Sequence, residues 1–131
     1  MKILDTDHCV AILRGSLDAG AWIPPDEELA ITTISLAELT YGAQKSLRPE
    51  DNLARLDVFI SALSLLPFDE ASARRYGHLR ASLDQQGQKL ADLDLQVASI
   101  AMVCQSPLVT HNQAHFSRLA QSFHLILEDW L

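Results

Sequence analysis

The chain is poor in several residue types, and each shortage excludes something. Only two of its 131 residues are cysteine, and Cys9 and Cys104 stand alone within apolar stretches. A disulfide framework and a thiolate metal site are therefore not indicated. Five glycines and five prolines are too few for a collagen-like or low-complexity chain, and 48% hydrophobic residues are too many for a disordered one. No run approaches the ~20 apolar residues of a membrane-spanning helix, and no basic-then-apolar leader opens the sequence. A glycine-rich phosphate loop is missing, which counts against a nucleotide-dependent kinase or ATPase. Basic residues are scarce too: ten Lys and Arg against 17 Asp and Glu give a formal charge of -7, the wrong sign for a generic nucleic-acid surface. The expectation is one soluble cytoplasmic domain over residues 1–131, long enough to bury a core.

What is present is an alternation of strand and helix signals. Lys2-Ile3-Leu4-Asp5 reads as an opening strand and Asp7 to Arg14 as a helix stopped by Gly15. Leu29 to Ile34 is apolar and β-branched, a second strand, and Ser35 opens a helix through about Lys45. Pro49-Glu50 starts another helix, with Leu53, Leu56, Phe59, Ile60 and Leu63 on its buried face. Leu65 to Phe68 is a strand pushed toward the sheet edge by Pro67. Asp69 caps a long helix that Gly87 ends, and Leu95 to Cys104 is apolar on nearly every side, as in a buried helix. Strands follow at residues 107–110 and 124–127. Alternation of this kind predicts an α/β fold: a mostly parallel sheet of four or five strands between two helical layers.

The acids fall where such a sheet assembles sites, past the carboxyl ends of its strands. Asp5 and Asp7 follow the first strand, Glu38 lies in the first turn after the second, and Asp92 and Asp94 open the buried helix. Thr110 and Asn112 follow the strand at 107–110. Oxygen donors from separate segments suit Mg²⁺ or Mn²⁺. Each acid also has an ordinary role open to it. Ser35 and Glu38 fit a capping box, and Asp7, Asp69 and Asp94 fit helix N-caps. Asp5, as the last residue of a buried strand, fits no cap. The five histidines share no metal-ligand spacing and read as packing or surface residues. Arg74, Arg75, His78, Arg80 and Lys89 form the one basic concentration: either a solvated helix face or a patch that steers phosphate.

In their order along the chain these segments resemble the PIN-domain ribonucleases of the VapC toxin type. Ile3-Leu4-Asp5-Thr6-Asp7 matches that family's Leu-Asp-Thr-Asn/Asp opening, and Ser35-Leu36-Ala37-Glu38-Leu39-Thr40-Tyr41-Gly42 matches its Ser-x-x-Glu-Leu-x-x-Gly segment. Asp94 to Ala101 matches the Asp-x-x-Ile-Ala-Ala-x-Ala helix, and Leu108 to Phe116 matches Leu-Val-Thr-x-Asn-x-x-x-Phe. The ending Glu128-Asp129-Trp130 is similar as well. The resemblance implies a three-layer PIN-like fold and Mg²⁺-dependent (or Mn²⁺-dependent) hydrolysis of structured RNA such as tRNA. It implies Asp5, Glu38 and Asp94 as the metal-binding, catalytic acids, supported by Thr6, Thr110 and Asn112, and by Asp7 as an added ligand or only a cap where most relatives carry Asn. Asp92 falls where the family has no fixed acid and is read as an auxiliary. Asn112 stands where many PIN nucleases carry a fourth acid, which bears on a second metal. The implied partners are an antitoxin that inserts a segment into the site groove and a second copy of the chain. Separately, the basic concentration suggests Arg74, Arg75 and Arg80 as residues that help hold RNA or antitoxin.

Two other readings use the same residues. Asp5-Thr6-Asp7 also fits the Asp-x-Asp of haloacid-dehalogenase-type phosphatases, with Asp5 as nucleophile and Lys89 ahead of Asp92 and Asp94, but this leaves Glu38 and Asn112 without a role. A PIN scaffold that only binds partners is the other. Asp5, Asp7, Glu38, Asp92 and Asp94 hold five of the negative charges, leaving -2 of the total -7 for the rest. Much of the acidity that opposes nucleic acid therefore belongs to the proposed metal site, where cations neutralise it.

Overall fold

A computed structural model describes residues 1–131. Five strands pair side by side, all parallel: β1 (Lys2–Leu4), β2 (Leu29–Thr32), β3 (Ser64–Leu66), β4 (Leu108–Val109) and β5 (Leu127–Glu128), in the order β3-β2-β1-β4-β5. Six helices connect them: α1 (Thr6–Leu13), α2 (Thr33–Gln44), α3 (Pro49–Ser61), α4 (Glu70–Gln85), α5 (Asp92–Val103) and α6 (Gln113–Phe123). A single 3₁₀ turn, Ala19–Ala21, sits between α1 and β2. No helix is long and apolar enough to cross a membrane.

The three layers follow from the two-residue period of the strands. Ile3, Ala30 and Leu108 point to one face and pack with Leu79 and Leu83 of α4, Leu95, Ala98 and Ala101 of α5, and Phe116 and Leu119 of α6. Their neighbours Leu4, Ile31 and Val109 point to the other, against Cys9 of α1, Leu39 of α2 and Leu56 of α3. From β1 the chain first moves through β2 to β3, then returns to the opposite side of β1 for β4 and β5. With right-handed crossovers, that reversal puts the first three helices and the last three on opposite faces. It also leaves a crevice between β1 and β4, at the carboxyl edge of the sheet.

Several boundaries differ from the sequence expectation, mostly at helix starts. Asp5 is the N-cap of α1, its side chain accepting from the Thr6 N–H, so the cap is Asp5 and not Asp7. Likewise Thr32, not Ser35, caps α2, its Oγ1 accepting from the Ser35 N–H at 3.1 Å. The helix therefore begins two residues early, and Glu38 lies in its second turn, exposed and free of a capping box. Ala91 precedes α5, so Asp94 is within the first turn and is not a cap. Asp69 does cap α4, accepting from the Ser72 N–H at 2.9 Å, and Pro49 opens α3 as expected.

The largest difference is α6, a helix not anticipated at residues 113–123. It buries Phe116 and Leu119 under the sheet, and His124 then turns the chain in a left-handed conformation at φ 63°. The last strand consequently starts at Leu127, not at His124. Phe116 is fully buried, so Phe116→Ala is expected to cost about 3–5 kcal/mol of folding stability, read as a lower urea midpoint.

Candidate functional site

The site is built outward from one carboxylate. Because Leu4 pairs with Val109, the next residues of the two strands, Asp5 and Thr110, stand side by side at the sheet edge. The Asp5 N–H donates to the Val109 carbonyl at 2.9 Å. Its carboxylate accepts from the Thr6 N–H at 2.9 Å and from the buried Thr110 hydroxyl at 2.7 Å. Only 7% of Asp5 is exposed. Burial raises its pKa from 3.8 to about 6; the Thr110 and Thr6 bonds oppose that rise, and the nearby charges of Asp7 and Asp94 add to it.

Asp7 lies one helical step on and is gripped from both ends. Its Oδ1 accepts from the His8 N–H at 2.7 Å and faces the His8 Nδ1 at 2.8 Å, while Oδ2 accepts from the His111 N–H at 3.0 Å. Burial works against the charge of Asp7, yet the His8 ring and these backbone donors outweigh it and hold the carboxyl below its ordinary range. Glu38 joins through Thr6, whose hydroxyl donates to Glu38 Oε1 at 3.0 Å. Asp94 enters from the other helical layer, with its carboxylate 3.4 Å from His115 Nδ1.

The chemistry of this donor set suits a hard divalent cation. Neither Lys nor Arg forms an ion pair with Asp5, Asp7, Glu38 or Asp94. A buried carboxylate facing two others without a cationic side chain is costly unless a cation compensates it. The carboxylates stand apart, and no three His, Cys, Asp or Glu side chains gather closely enough to enclose an ion. Mg²⁺ fits such a site because it binds through one or two carboxylates and retains several waters. Cys9, directly behind the cluster, is no nucleophile: burial pushes its thiol pKa far up, and Asp5 and Asp7 push it further.

The other sequence candidates divide. Thr6 and Thr110 are in the cluster. The Asn112 N–H donates to Thr110 Oγ1 at 3.1 Å, orienting the hydroxyl that holds Asp5. Asp92 lines the cavity that opens beside Asp94 but is taken up by other partners, accepting from Arg80 at 2.7 Å and from the Tyr76 hydroxyl at 2.8 Å. The three arginines do not form one patch. Arg74 pairs with Glu70 at 3.3 Å on an exposed helix face, and Arg75 borders a separate cavity with Met102 and His124. Arg80 alone reaches the cavity of about 620 Å³ that opens beside Asp94. Lys89, a member of the basic concentration read from the sequence, and Arg118, which the sequence did not single out, line the same cavity with His115, and neither is in an ion pair. Only folding reveals this, because Lys89 sits between α4 and α5 while Arg118 projects from α6.

Comparison with known proteins identifies the family. Residues 2–121 match the PIN domain family. The ribonuclease VapC2 of Rickettsia felis is 36% identical over 132 residues, covering 98% of this chain and 96% of that protein. A tRNA(fMet)-specific endonuclease VapC from Shigella flexneri is 37% identical over 137 residues, with the same coverage of 98% and 96%. Among solved structures, a VapBC2 complex from Rickettsia felis bound to a promoter DNA fragment contains a chain that superposes with a TM-score of 0.88 at 35% identity, covering 99% of this chain and 98% of that one. The haloacid-dehalogenase alternative is thereby displaced, and Glu38, which it left idle, takes its place beside Thr6. By fold, by the carboxylates at its sheet edge and by end-to-end similarity, the chain belongs to the PIN-domain family, among its VapC ribonucleases.

Proposed function

We propose that the chain is a Mg²⁺-dependent endoribonuclease, the toxin of a toxin–antitoxin pair, and that it cleaves structured RNA of the tRNA class. The observation that carries this reading is Asp5: a carboxylate nearly sealed from solvent, raised to about 6 by burial and by its acidic neighbours, with no Lys or Arg paired to it. Asp5 and Asp94 are the residues to hold the ion, with Glu38 to join them or to position a water that the ion retains. When bound, a divalent cation supplies a water of lowered pKa and stabilises charge on the phosphate in the transition state.

The chain's own residues do the remaining work. Thr110 and the Thr6 N–H fix both oxygens of Asp5, so its position is set before substrate arrives. Thr6 also tethers Glu38, which otherwise extends freely from an exposed helix face. Lys89 and Arg118 face the RNA backbone from the cavity beside Asp94 and partly offset the acidity of the chain. The antitoxin and the tRNA class are supported by relatives: a VapBC complex among the structural neighbours and a tRNA(fMet)-specific endonuclease among the similar sequences. Activity as a homodimer is part of the same reading.

The test is cleavage of a tRNA pool by the purified chain with Mg²⁺, with Mn²⁺ and with chelator. Cleavage that persists undiminished in chelator rules out the metal-dependent reading, and absence of Mg²⁺ or Mn²⁺ binding favours a scaffold that only binds partners. Replacing Lys89 and Arg118 together by Ala is expected to raise KM for RNA several-fold with little change in kcat. Two lost phosphate contacts also flatten the salt dependence, lowering the slope of log affinity against log salt by about one to two.

A further inference from the structure

The buried ring of His8 has no part in the reading above, although it touches the cluster. It is completely inaccessible to solvent, and both of its nitrogens have partners. The Trp130 backbone N–H, which can only donate, points at Nε2 from 3.0 Å. Asp129 Oδ1 also lies 3.4 Å from Nε2, but that oxygen accepts from the Leu131 N–H at 3.0 Å. The closer Trp130 N–H leaves Nε2 as the bare nitrogen, with the ring proton on Nδ1, 2.8 Å from Asp7 Oδ1. This hydrogen-bond pattern is what assigns the tautomer.

The chain's last residues thus hold Asp7 at second hand, and by two routes. Through Trp130 they set the His8 proton that Asp7 Oδ1 accepts. Through Asp129, whose Oδ2 lies 2.9 Å from His111 Nδ1, they hold the residue whose N–H serves Asp7 Oδ2. Trp130 is itself anchored: it is 4% exposed, stacks on Trp22 at 6.1 Å between ring centres and meets the His8 ring edge-on. Its indole N–H donates to Glu128 Oε2 at 3.1 Å.

We propose that His8 is a positioning residue, locked by the Trp130 N–H with its proton on Nδ1, which fixes the Asp7 carboxylate and keys the carboxylate cluster to the C-terminal segment. A local consequence is rigidity. Asp7 can neither rotate nor exchange its partners without breaking bonds at both histidines, so it presents a fixed negative charge beside Asp5. The effect on cation binding rests on the metal-site reading given above; the hold on Asp7 does not.

Two substitutions separate the two ends of the ring. His8→Gln can accept from the Trp130 N–H yet offers no donor at the Nδ1 position, whereas His8→Asn keeps an amide donor toward Asp7 and leaves Trp130 unserved. Three readouts apply. Long-range ¹H–¹⁵N NMR of the wild-type chain in chelator is expected to show His8 protonated on Nδ1; a proton on Nε2 overturns the proposal. The His111 amide resonance, which reports the bond to Asp7, is expected to shift in His8→Gln and to stay near its wild-type position in His8→Asn; no shift in His8→Gln also overturns it. Finally, Mn²⁺ affinity is expected to fall about tenfold in His8→Gln, within the range for lost outer-shell partners, and to be largely kept in His8→Asn. Because His8 acts through Asp7, His8→Gln should have no further effect on Mn²⁺ affinity in an Asp7→Asn background, and full additivity there refutes the mechanism. If the wild-type chain binds no Mn²⁺, the metal-site reading falls, and the two NMR readouts still decide the role of His8.

Discussion

Asp5→Asn is expected to lower Mg²⁺-dependent RNA cleavage by on the order of 10³-fold, about 4 kcal/mol of transition-state stabilisation, in a protein that still folds. The residue is a single atom's change from the original, and Asn can keep one acceptor for the Thr6 N–H or the Thr110 hydroxyl. What it removes is the charge. In the wild type that charge is sheltered from water and faces Asp7 and Asp94, which is why the pKa stands near 6 instead of 3.8. A displacement of that size corresponds to about 3 kcal/mol of strain at neutral pH, an upper bound for what Asn can relieve because one of the two hydrogen bonds is weakened. Asp5→Asn should therefore melt a few degrees higher than the wild type in chelator while losing activity, the trade expected of a site that holds repelling charges for function. Asp94→Asn should lose comparable activity with a smaller change in melting, since its side chain is 29% exposed. Single-turnover cleavage and thermal melts in chelator give both numbers. Full activity in either variant sinks the assignment.

The strands and most helices were legible because local chemistry and the global fold agree there. Ile3 and Leu4 alternate between two faces, and the sheet is indeed covered on both. Pro49 and Asp69 sit at helix starts for reasons confined to a few residues. The junctions were harder because candidates for a cap lie close together. Asp5 and Asp7, or Thr32 and Ser35, can each cap, and the choice falls to whichever residue ends its strand first, a matter of pairing with a distant partner. Helix α6 did have a local signal: Phe116, Leu119, Ala120 and Phe123 recur at helical spacing, on a segment otherwise polar. The site shows the same division. Position after strands and at helix starts brought out Asp5, Asp7, Glu38, Asp92 and Asp94 together, and only the family resemblance narrowed them to Asp5, Glu38 and Asp94. The tie from His8 to Trp130 spans 122 residues and has no trace in either segment alone. Lys89 and Arg118 become neighbours only when α6 packs beside the loop before α5.

The two acids at the start of α1 respond to pH in opposite directions, and this gives the second large effect. Asp5 has a folded-state pKa raised from 3.8 to about 6, so the folded chain keeps a proton that the unfolded chain has lost. Its contribution favours folding at low pH and is withdrawn as pH rises from about 4 through 6. Asp7 has a lowered pKa because the His8 ring and backbone donors overcome the opposing effect of burial; its contribution is present above 3.8 and is lost as pH falls further. In chelator, stability from this pair is therefore greatest just below pH 4 and declines from there toward neutrality by about 3 kcal/mol at most. Subtracting the profile of Asp5→Asn isolates that decline from every other titrating group. A divalent cation bound at Asp5 favours the ionised form, so saturating Mg²⁺ should abolish the decline in the wild type and leave Asp5→Asn unchanged. Cleavage should show the same proton: below pH 6 the rate falls about tenfold per unit, and the break moves to lower pH as Mg²⁺ is raised, because proton and metal compete for one carboxylate. Thermal melts from pH 4 to 7.5, with Mg²⁺ or chelator, provide the measurement. A decline that is identical with and without Mg²⁺ means that Asp5 does not hold the ion, whatever the fold suggests.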